Sequence, residues 1–360
     1  MRIGVPREIK VHEYRVGLVP ASVRELTAHG HEVRVESGAG LGIGCPDGDY
    51  VAAGARIAAD AAEVFGWAEL VVKVKEPQLA ECALLRPGQL LFTYLHLAAD
   101  RPQAEALMRS GALAIAYETV TAADGSLPLL TPMSEVAGRM AVHVGAGLLQ
   151  KAAGGRGVLL GGVPGVPPAK VVILGCGVAG THAAEMAVGM RANVTAIDRS
   201  LKRLRELDVQ FRGDVHTLYS TADAIERELA DADLVIGAVL VPGASAPKLV
   251  TEPMVQRLRP GTVLVDIAID QGGCFATSRP TTHAEPTFVL HGVVHYCVTN
   301  MPGAVARTSA FALNHATLPY VQAIATLGWE AAAARDPGLA AGLNVSGGRL
   351  VHPAVARALG

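Results

Sequence analysis

Residues 171–180 read VVILGCGVAG, an apolar strand running into G-x-G-x-x-G and then into the small-residue helix pattern HAAEMAVGM. Few local patterns restrict a fold so tightly. Gly175 permits the sharp turn out of the strand, Gly177 lets the backbone approach a pyrophosphate, and Gly180 lets helix and strand pack closely. The helix N-terminus then offers free N–H groups and about half a positive charge to a phosphate. Glycine makes up 40 of 360 residues, so the bare spacing says little. The strand before it and the helix after it carry the reading. The next strand pattern, NVTAID, ends in Asp198, about twenty residues on, where an acid accepts hydrogen bonds from the adenosine ribose hydroxyls and repels a 2'-phosphate. A dinucleotide-binding domain that favours NAD over NADP follows, an inference that Arg199 and Arg203 weaken slightly.

The rest of the chain has the same alternation. RIGV, HEVRVE, LVVKVK, LLFTYL and ALAIAY, between residues 2 and 118, read as strands, with helical patterns near 20–29, 49–59 and 102–110. Such βαβ alternation builds a parallel sheet. From residue 170, KVVILG, NVTAID, DVHTLY, ADLVIGAV, TVLVDIAI and a run near 293–298 have the spacing of a six-stranded doubly wound sheet. Two helical segments join the halves. Thr131 can cap a helix that takes Pro132 in its first turn and continues through SEVAGRMAVHVGAGLLQ until GGRG stops it. The other runs through TSAFALNHATLPYVQAIATLGWEAAAA, where Pro319 should bend or reset it, and the Ala-rich stretch 331–341 reads as an exposed helix end.

A chain of 360 residues exceeds one hydrophobic core. The predicted fold class is therefore α/β, with two doubly wound parallel-sheet domains separated by a cleft. Residues 1–130 with 304–360 would form a discontinuous substrate and catalytic domain, and residues 131–303 an NAD-binding Rossmann domain. A net charge of -2 argues against general affinity for nucleic acid or membrane. The five cysteines, at 45, 82, 176, 274 and 297, form no C-x-x-C pair, which leaves neither a disulfide framework nor a zinc knuckle. No apolar run is long enough to span a bilayer, and MRIGVPREIK passes straight into a strand. A soluble, cytoplasmic protein is expected, and its high apolar fraction with few aromatics permits a subunit interface.

Ligands of open parallel sheets bind beyond the carboxyl ends of the strands, which directs attention to polar residues there. In the first half these are Arg15, after RIGV; Lys73 and Lys75, on one face of LVVKVK; and His96, just after LLFTYL. Arg15, with its planar fork, and Lys75, as a point charge, suit a small carboxylate. An imidazole titrates near neutrality and can move a proton in carbonyl or imine chemistry. In the second half, VLVDIAIDQGG at 263–273 places two carboxylates in an otherwise apolar run. Strand parity puts 266, 268 and 270 on one face. Asp270, where the run meets glycine, is placed for catalysis opposite His96, and Asp266, mid-strand, for a structural hydrogen-bonding role. Singly, each of these residues has an ordinary structural alternative: a solvated cation, a packed histidine, a turn carboxylate.

Longer stretches carry a resemblance. REIKVHEYRVGLVPASV, VKVKEP, YLHLA, TPMSEVAGRMA, GGRGVLLGGVPGV, ADLVIGAVLVPGASAPKLV, VLVDIAIDQGGCFATSRPTTH and HYCVTNMPGAVARTSAFALNHATLPY resemble the alanine dehydrogenase family from end to end. The resemblance implies reversible oxidative deamination of L-alanine with NAD and water, giving pyruvate, ammonium and NADH. It implies that Arg15 and Lys75 hold the substrate carboxylate and that His96 and Asp270 are the acid/base pair. His96 would deprotonate water and return a proton to the leaving nitrogen, and Asp270 would stabilise the iminium.

The same resemblance implies a cofactor lined by Ser134, by Gly175, Gly177, Val178, Ala179 and Gly180, and by Asp198, Arg203 and Ser220. Val239 and Leu240 would follow, then Ile267, Ala268, Ile269 and Asp270, then Arg279, and last Val298, Thr299, Asn300 and Met301. A homohexamer is implied as well. Some relatives place a Glu and a His one helical turn apart as a metal site; this chain has Ala323 and Leu327 there, so no metal is expected. Arg203 stands where lysine is common, and Cys176 inside the glycine loop would make the protein thiol-sensitive. The rival readings are the nucleotide-binding component of a proton-translocating transhydrogenase, a non-catalytic NAD-binding protein and a related dehydrogenase for another small amino acid. The first would not need Arg15, Lys75 and His96 together.

Overall fold

The apolar runs of the first half pair side by side, all parallel, in the order Leu113–Ala116, Leu90–Thr93, Leu70–Val72, Arg2–Val5, Glu32–Glu36, Arg56–Ala58. The computed structural model, which describes residues 1–239 and 246–360, divides into two units, Met1–Met133 with Gly303–Gly360, and Ser134–Pro302. The first unit contains this sheet. Its strand order reverses between Arg2–Val5 and Leu70–Val72, so the ligand-binding switch point of a doubly wound fold lies at the carboxyl ends of these two strands. Leu70–Val72 and Leu90–Thr93 are buried along their whole length, as central parallel strands with helices on both faces must be. Each Leu, Ile or Val so buried contributes up to roughly 1.5–3 kcal/mol.

Several local expectations needed correcting. The 49–59 segment is not one helix. Asp47–Ala52 is helical, Gly54 at φ +96° turns the chain, and Arg56–Ala58 is an edge strand. LVVKVK leaves the sheet at Val72, so Lys73 and Lys75 belong to the turn beyond it. At the far edge, Leu343–Ser346 and Arg349–Leu350 form an antiparallel hairpin against Leu113–Ala116, which no sequence pattern announced.

The C-terminal segment returns to this unit through a single helix, Ala306–Leu327, which runs unbroken past Pro319. Buried Asn314 accepts from Val19 N (2.8 Å) and donates to Gly17 O (3.2 Å), fixing the segment that follows Arg15. Beyond it, the alanine-rich stretch is not simply exposed, because Ala332 and Leu339 are buried. Asp100 caps Arg101–Ser110 by accepting from Gln103 N (3.1 Å), and Asp60 caps Ala61–Trp67 by accepting from Glu63 N (2.9 Å).

The second unit has the six parallel strands expected, in the order Val293–Tyr296, Val263–Asp266, Leu234–Gly237, Lys170–Leu174, Asn193–Asp198, Val215–Tyr219. An antiparallel edge strand, Thr287–Leu290, adds to Val293–Tyr296. The helix Thr131–Leu148 includes Thr131 itself, whose hydroxyl donates back to Leu127 O (3.0 Å) instead of capping the helix. Gly138 in that helix lies against Ala179 O, where any Cβ would collide. Among the described residues no helix is long and apolar enough to cross a membrane.

Candidate functional site

In the first unit, three of the four polar residues singled out lie beyond the carboxyl ends of three adjacent strands: Arg15 after Arg2–Val5, Lys75 after Leu70–Val72, His96 after Leu90–Thr93. Gly17 is required for this arrangement, since a Cβ there would strike Val72 O. Arg15 is buried and forked onto Glu13, with Nε to Oε1 at 2.7 Å and Nη2 to Oε2 at 2.6 Å, while Nη1 meets Met133 Sδ at 2.9 Å. Burial disfavours its charge, but Glu13 more than offsets this and holds the guanidinium pKa above its ordinary value. Glu13 was not foreseen as its partner.

Lys75 is buried too. Its backbone carbonyl accepts from Thr93 Oγ1 (3.0 Å), and its neighbour Glu76 is ion-paired with Lys10. Burial raises the Glu76 pKa, but Lys75 and Lys10, with a smaller contribution from His96, bring it below the ordinary carboxylate value. Tyr94 completes the group. Its ring stacks on the His96 ring with centroids 5.7 Å apart, its hydroxyl donates to Leu129 O (2.5 Å), and burial drives its pKa upward despite Arg15. The structure thus gathers Arg15, Lys75 and His96 around Tyr94 and Glu76.

Lys73 is elsewhere. It is fully buried, with Nζ bonded to Glu81 Oε1 (2.6 Å) and Glu8 Oε2 (3.1 Å), and Glu8 Oε1 also accepts from Val74 N (2.7 Å). This buried triad holds the turn carrying Lys75.

His96 itself is exposed and left-handed, at φ 49° and ψ 34°. Such a conformation costs a non-glycine residue about 1–3 kcal/mol and persists only where surrounding bonds enforce it. Here Glu118 supplies them, accepting from His96 N (2.6 Å) and from Leu95 N at 3.2 Å on each carboxylate oxygen.

In the second unit the glycine loop joins the strand Lys170–Leu174 to the helix Val178–Gly189. Gly175 sits at φ +93°, with a would-be Cβ 2.8 Å from Ala238 O and from Val239 Cγ2, so Val239 closes one side of the turn. A Cβ on Gly177 would meet nothing within 4 Å, so the loop backbone there is open to a ligand. A Cβ on Gly180 would collide with Gly175 O. Val178 and Ala179 open the helix Val178–Gly189, whose first N–H groups are without helical partners of their own. Asp198 ends its strand as expected, and its carboxylate accepts from Cys176 N (2.7 Å) and Ser200 N (2.8 Å), while Ser220 N donates to Asp198 O (3.0 Å).

Arg203 is committed within the protein: Nε donates to Cys176 O (2.6 Å), Nη2 to Thr181 Oγ1 (2.6 Å) and Nη1 to Glu206 Oε2 (2.5 Å). It clasps the glycine loop. The thiol sensitivity expected of Cys176 is not supported, because that side chain is buried and burial, with Asp198, pushes its pKa up to about 12.

Two further groups follow strands of this sheet, Ile267 to Asp270 after Val263–Asp266 and Val298 to Met301 after Val293–Tyr296. Val263–Asp266 ends four residues earlier than the apolar run suggested, and Ile267, Ala268, Ile269 and Asp270 form a 3-10 turn. Strand parity therefore does not aim Asp270; the turn leaves it exposed. Asp266 has the structural role expected. It is fully buried, accepting from Ser278 Oγ (2.5 Å), Cys274 N (2.9 Å), Ala268 N (3.1 Å) and Phe275 N (3.3 Å). Val298 pairs with Thr281, Thr299 N donates to Thr281 O (3.2 Å), and Asn300 turns the chain at φ 59° ahead of buried Met301. Arg279 lies over the Phe288 ring at 4.3 Å, and Ser134 lies half-buried in its helix. Leu240 lies outside the described residues. Ala323 and Leu327 carry no ligating atom, and among the described residues no cluster of three or more His, Cys, Asp or Glu could hold a metal.

Close packing at Gly180 makes a direct test. Gly180→Ala is expected to impose about 1–3 kcal/mol of overpacking, read as a lower Tm by roughly 2–4 °C per kcal/mol. An unchanged Tm would contradict the packing described.

Comparison with known proteins places these features in context. Residues 4–137 match the family model described as "Alanine dehydrogenase/PNT, N-terminal domain" and residues 141–353 that described as "Alanine dehydrogenase/PNT, C-terminal domain". The chain is 59% identical to an alanine dehydrogenase of Halomonas elongata over 100% of its own length and 97% of that protein's. Among solved structures it is similar to an L-alanine dehydrogenase, at 56% identity and TM-score 0.96 with 99% of each chain covered. It is also similar to a transhydrogenase from Sinorhizobium meliloti, at 26% identity and TM-score 0.83 over 98% of this chain and 100% of that one.

Proposed function

Because the chain belongs to the alanine dehydrogenase/PNT family, we propose that it catalyses the NAD-dependent, reversible oxidative deamination of L-alanine to pyruvate and ammonium. The observation that carries the reading is the convergence of Arg15, Lys75 and an exposed, left-handed His96 at the switch point of the first sheet. Arg15 and Lys75 bind the substrate carboxylate. Arg15 is held by Glu13 in one orientation before substrate arrives, which lowers the entropy lost on binding. His96 takes the proton from the attacking water and returns one to the departing nitrogen. Asp270 stabilises the positive charge that develops on that nitrogen.

The fit to a dinucleotide rests on the second unit. Gly177 is open to a pyrophosphate, the first turn of Val178–Gly189 presents N–H groups to it, and Asp198 stands where the ribose hydroxyls would lie. NAD, when bound, supplies the hydride acceptor. The carboxylate of Asp198 disfavours a 2'-phosphate, and because Arg203 is already bonded to Cys176, Thr181 and Glu206, it does not reverse that preference. The proposed enzyme is soluble, cytoplasmic and, by family resemblance, hexameric.

NADH absorbance decides the reading. Its decay should require pyruvate and ammonium together, with NADPH a poor substitute. Binding of NADH without turnover would sink the enzyme reading in favour of a binding protein, and the transhydrogenase reading, to which the weaker Sinorhizobium likeness points, predicts no dependence on pyruvate.

For Arg15, simple truncation would strand the buried Glu13 carboxylate, so the informative variant is Glu13→Gln with Arg15→Met. Loss of charge-assisted hydrogen bonds worth about 1.5–3 kcal/mol should raise the pyruvate KM roughly 10- to 100-fold. The effect on kcat should be smaller. An unchanged KM would contradict the assignment.

A further inference from the structure

His96 is an exposed imidazole on a backbone that glycine or asparagine would adopt more readily, and it opens the short 3-10 turn Leu97–Ala99. A side chain on such a turn is only as well aimed as the backbone beneath it. Two constraints act on that backbone. From outside, the C-terminal helix Pro353–Leu359 packs on the turn, and Arg101 reaches the Leu359 carbonyl. From inside, the N–H groups of Leu95 and His96 are held by a side chain. Glu118 lies in the 3-10 turn Tyr117–Thr119, beyond the neighbouring strand Leu113–Ala116, and its carboxylate accepts from His96 N at 2.6 Å and from Leu95 N at 3.2 Å on both oxygens. Charge-assisted bonds donated by consecutive N–H groups to one carboxylate are among the stronger available to a loop.

We propose that Glu118 is a positioning residue for the reaction, acting through His96 by fixing the left-handed turn that aims its imidazole. The inference rests on the proton-transfer role given to His96 above. Glu118 acts without touching the substrate. Without it, Leu95 N and His96 N lose their acceptor, the turn relaxes toward the right-handed region, and the imidazole is displaced. A displacement of about 1 Å in a reacting group can cost on the order of 100-fold in rate.

The test is steady-state kinetics with NADH, pyruvate and ammonium on the full chain, in the wild-type and His96→Ala backgrounds, with NADH binding followed by fluorescence. Glu118→Ala should lower kcat ~100-fold, with the pyruvate KM and the NADH Kd moving by less than about threefold. Glu118→Gln, which keeps one carbonyl oxygen as acceptor, should recover to within about tenfold of wild type. In the His96→Ala background, Glu118→Ala should cost less than about twofold more, because residues acting as a unit are not additive.

A kcat within about threefold of wild type for Glu118→Ala would overturn the inference. So would a further loss of ~100-fold in the His96→Ala background, the mark of an independent or general structural role. If Glu118→Ala does not fold, Glu118→Gln in the two backgrounds gives the same comparison. A wild-type chain inactive with pyruvate and ammonium would sink the functional reading itself and this inference with it. An active wild type with an unaffected Glu118→Ala would sink only the inference.

Discussion

His96→Ala is expected to lower turnover with NADH, pyruvate and ammonium by roughly 10²- to 10⁴-fold, the range typical of a lost general acid–base, while leaving NADH binding intact. The separation of the two readouts follows from where the residues lie. His96 belongs to the first unit, whereas the glycine loop, Asp198 and the Arg203 clasp belong to the second. Alanine also keeps the turn, since Glu118 grips only the backbone of residues 95 and 96. The variant therefore removes the imidazole and its stacking on Tyr94 with little else.

Asp270→Asn tests the other half of the pair. It preserves shape and removes charge from an exposed carboxylate on a 3-10 turn. It should also lose most turnover and retain NADH, and the doubly substituted protein should be little worse than the weaker single variant. Turnover within a few-fold of wild type in His96→Ala would remove the proton-transfer role, whatever else the enzyme does.

How far these sites could be read from the chain depended on whether the deciding interactions were local. The strand, glycine turn and helix at 171–180 are local, and so is the interval to Asp198, so the second sheet and its loop emerged with nearly all strands in place. The rim positions of Arg15, Lys75 and His96 were legible for the same reason, because each follows an apolar run. What stayed hidden was which charge meets which.

LVVKVK sets Lys73 and Lys75 on one face of a notional strand, yet the strand stops at Val72. Lys73 then goes to Glu8 and Glu81, residues that periodicity gives no reason to pair with it. Glu13 and Glu118 were missed because their partners are a side chain on a loop and two backbone N–H groups 22 and 23 residues away. The edge strands escaped for a different reason. Thr287–Leu290 is half-exposed and Arg349–Leu350 only two residues long, so neither shows the buried apolar run that marks a central strand.

The Lys73 triad sets the largest effect expected on stability. Lys73 is fully buried, and its ammonium meets two carboxylates, Glu8 and Glu81, that are almost wholly buried too. Burial alone would lower the Lys73 pKa, but the two glutamates reverse this and raise it, so the ammonium keeps its charge at neutral pH. Glu8 is held above the ordinary carboxylate value by burial, with Lys73 and Val74 N acting the other way. Lys73→Met keeps roughly the volume and removes the ammonium that Glu8 and Glu81 share. Two buried carboxylates then share the site with backbone N–H donors but no cation, a change that costs about 3–5 kcal/mol in comparable sites.

The pH dependence separates this mechanism from a simple packing defect. A carboxyl whose folded pKa lies above its unfolded value binds more protons folded than unfolded, so stability falls as pH rises from the unfolded pKa toward the folded one. In Lys73→Met, Glu8 moves further up, so the deficit should be widest at neutral pH and should narrow as pH falls toward the ordinary carboxylate range near 4.5. Both tryptophans, Trp67 and Trp329, lie in the first unit, so denaturant unfolding followed by their fluorescence reports this unit. A deficit unchanged between neutral and acidic pH would show that the loss comes from packing alone. No deficit at all would mean that the triad contributes nothing to holding the turn beneath Lys75.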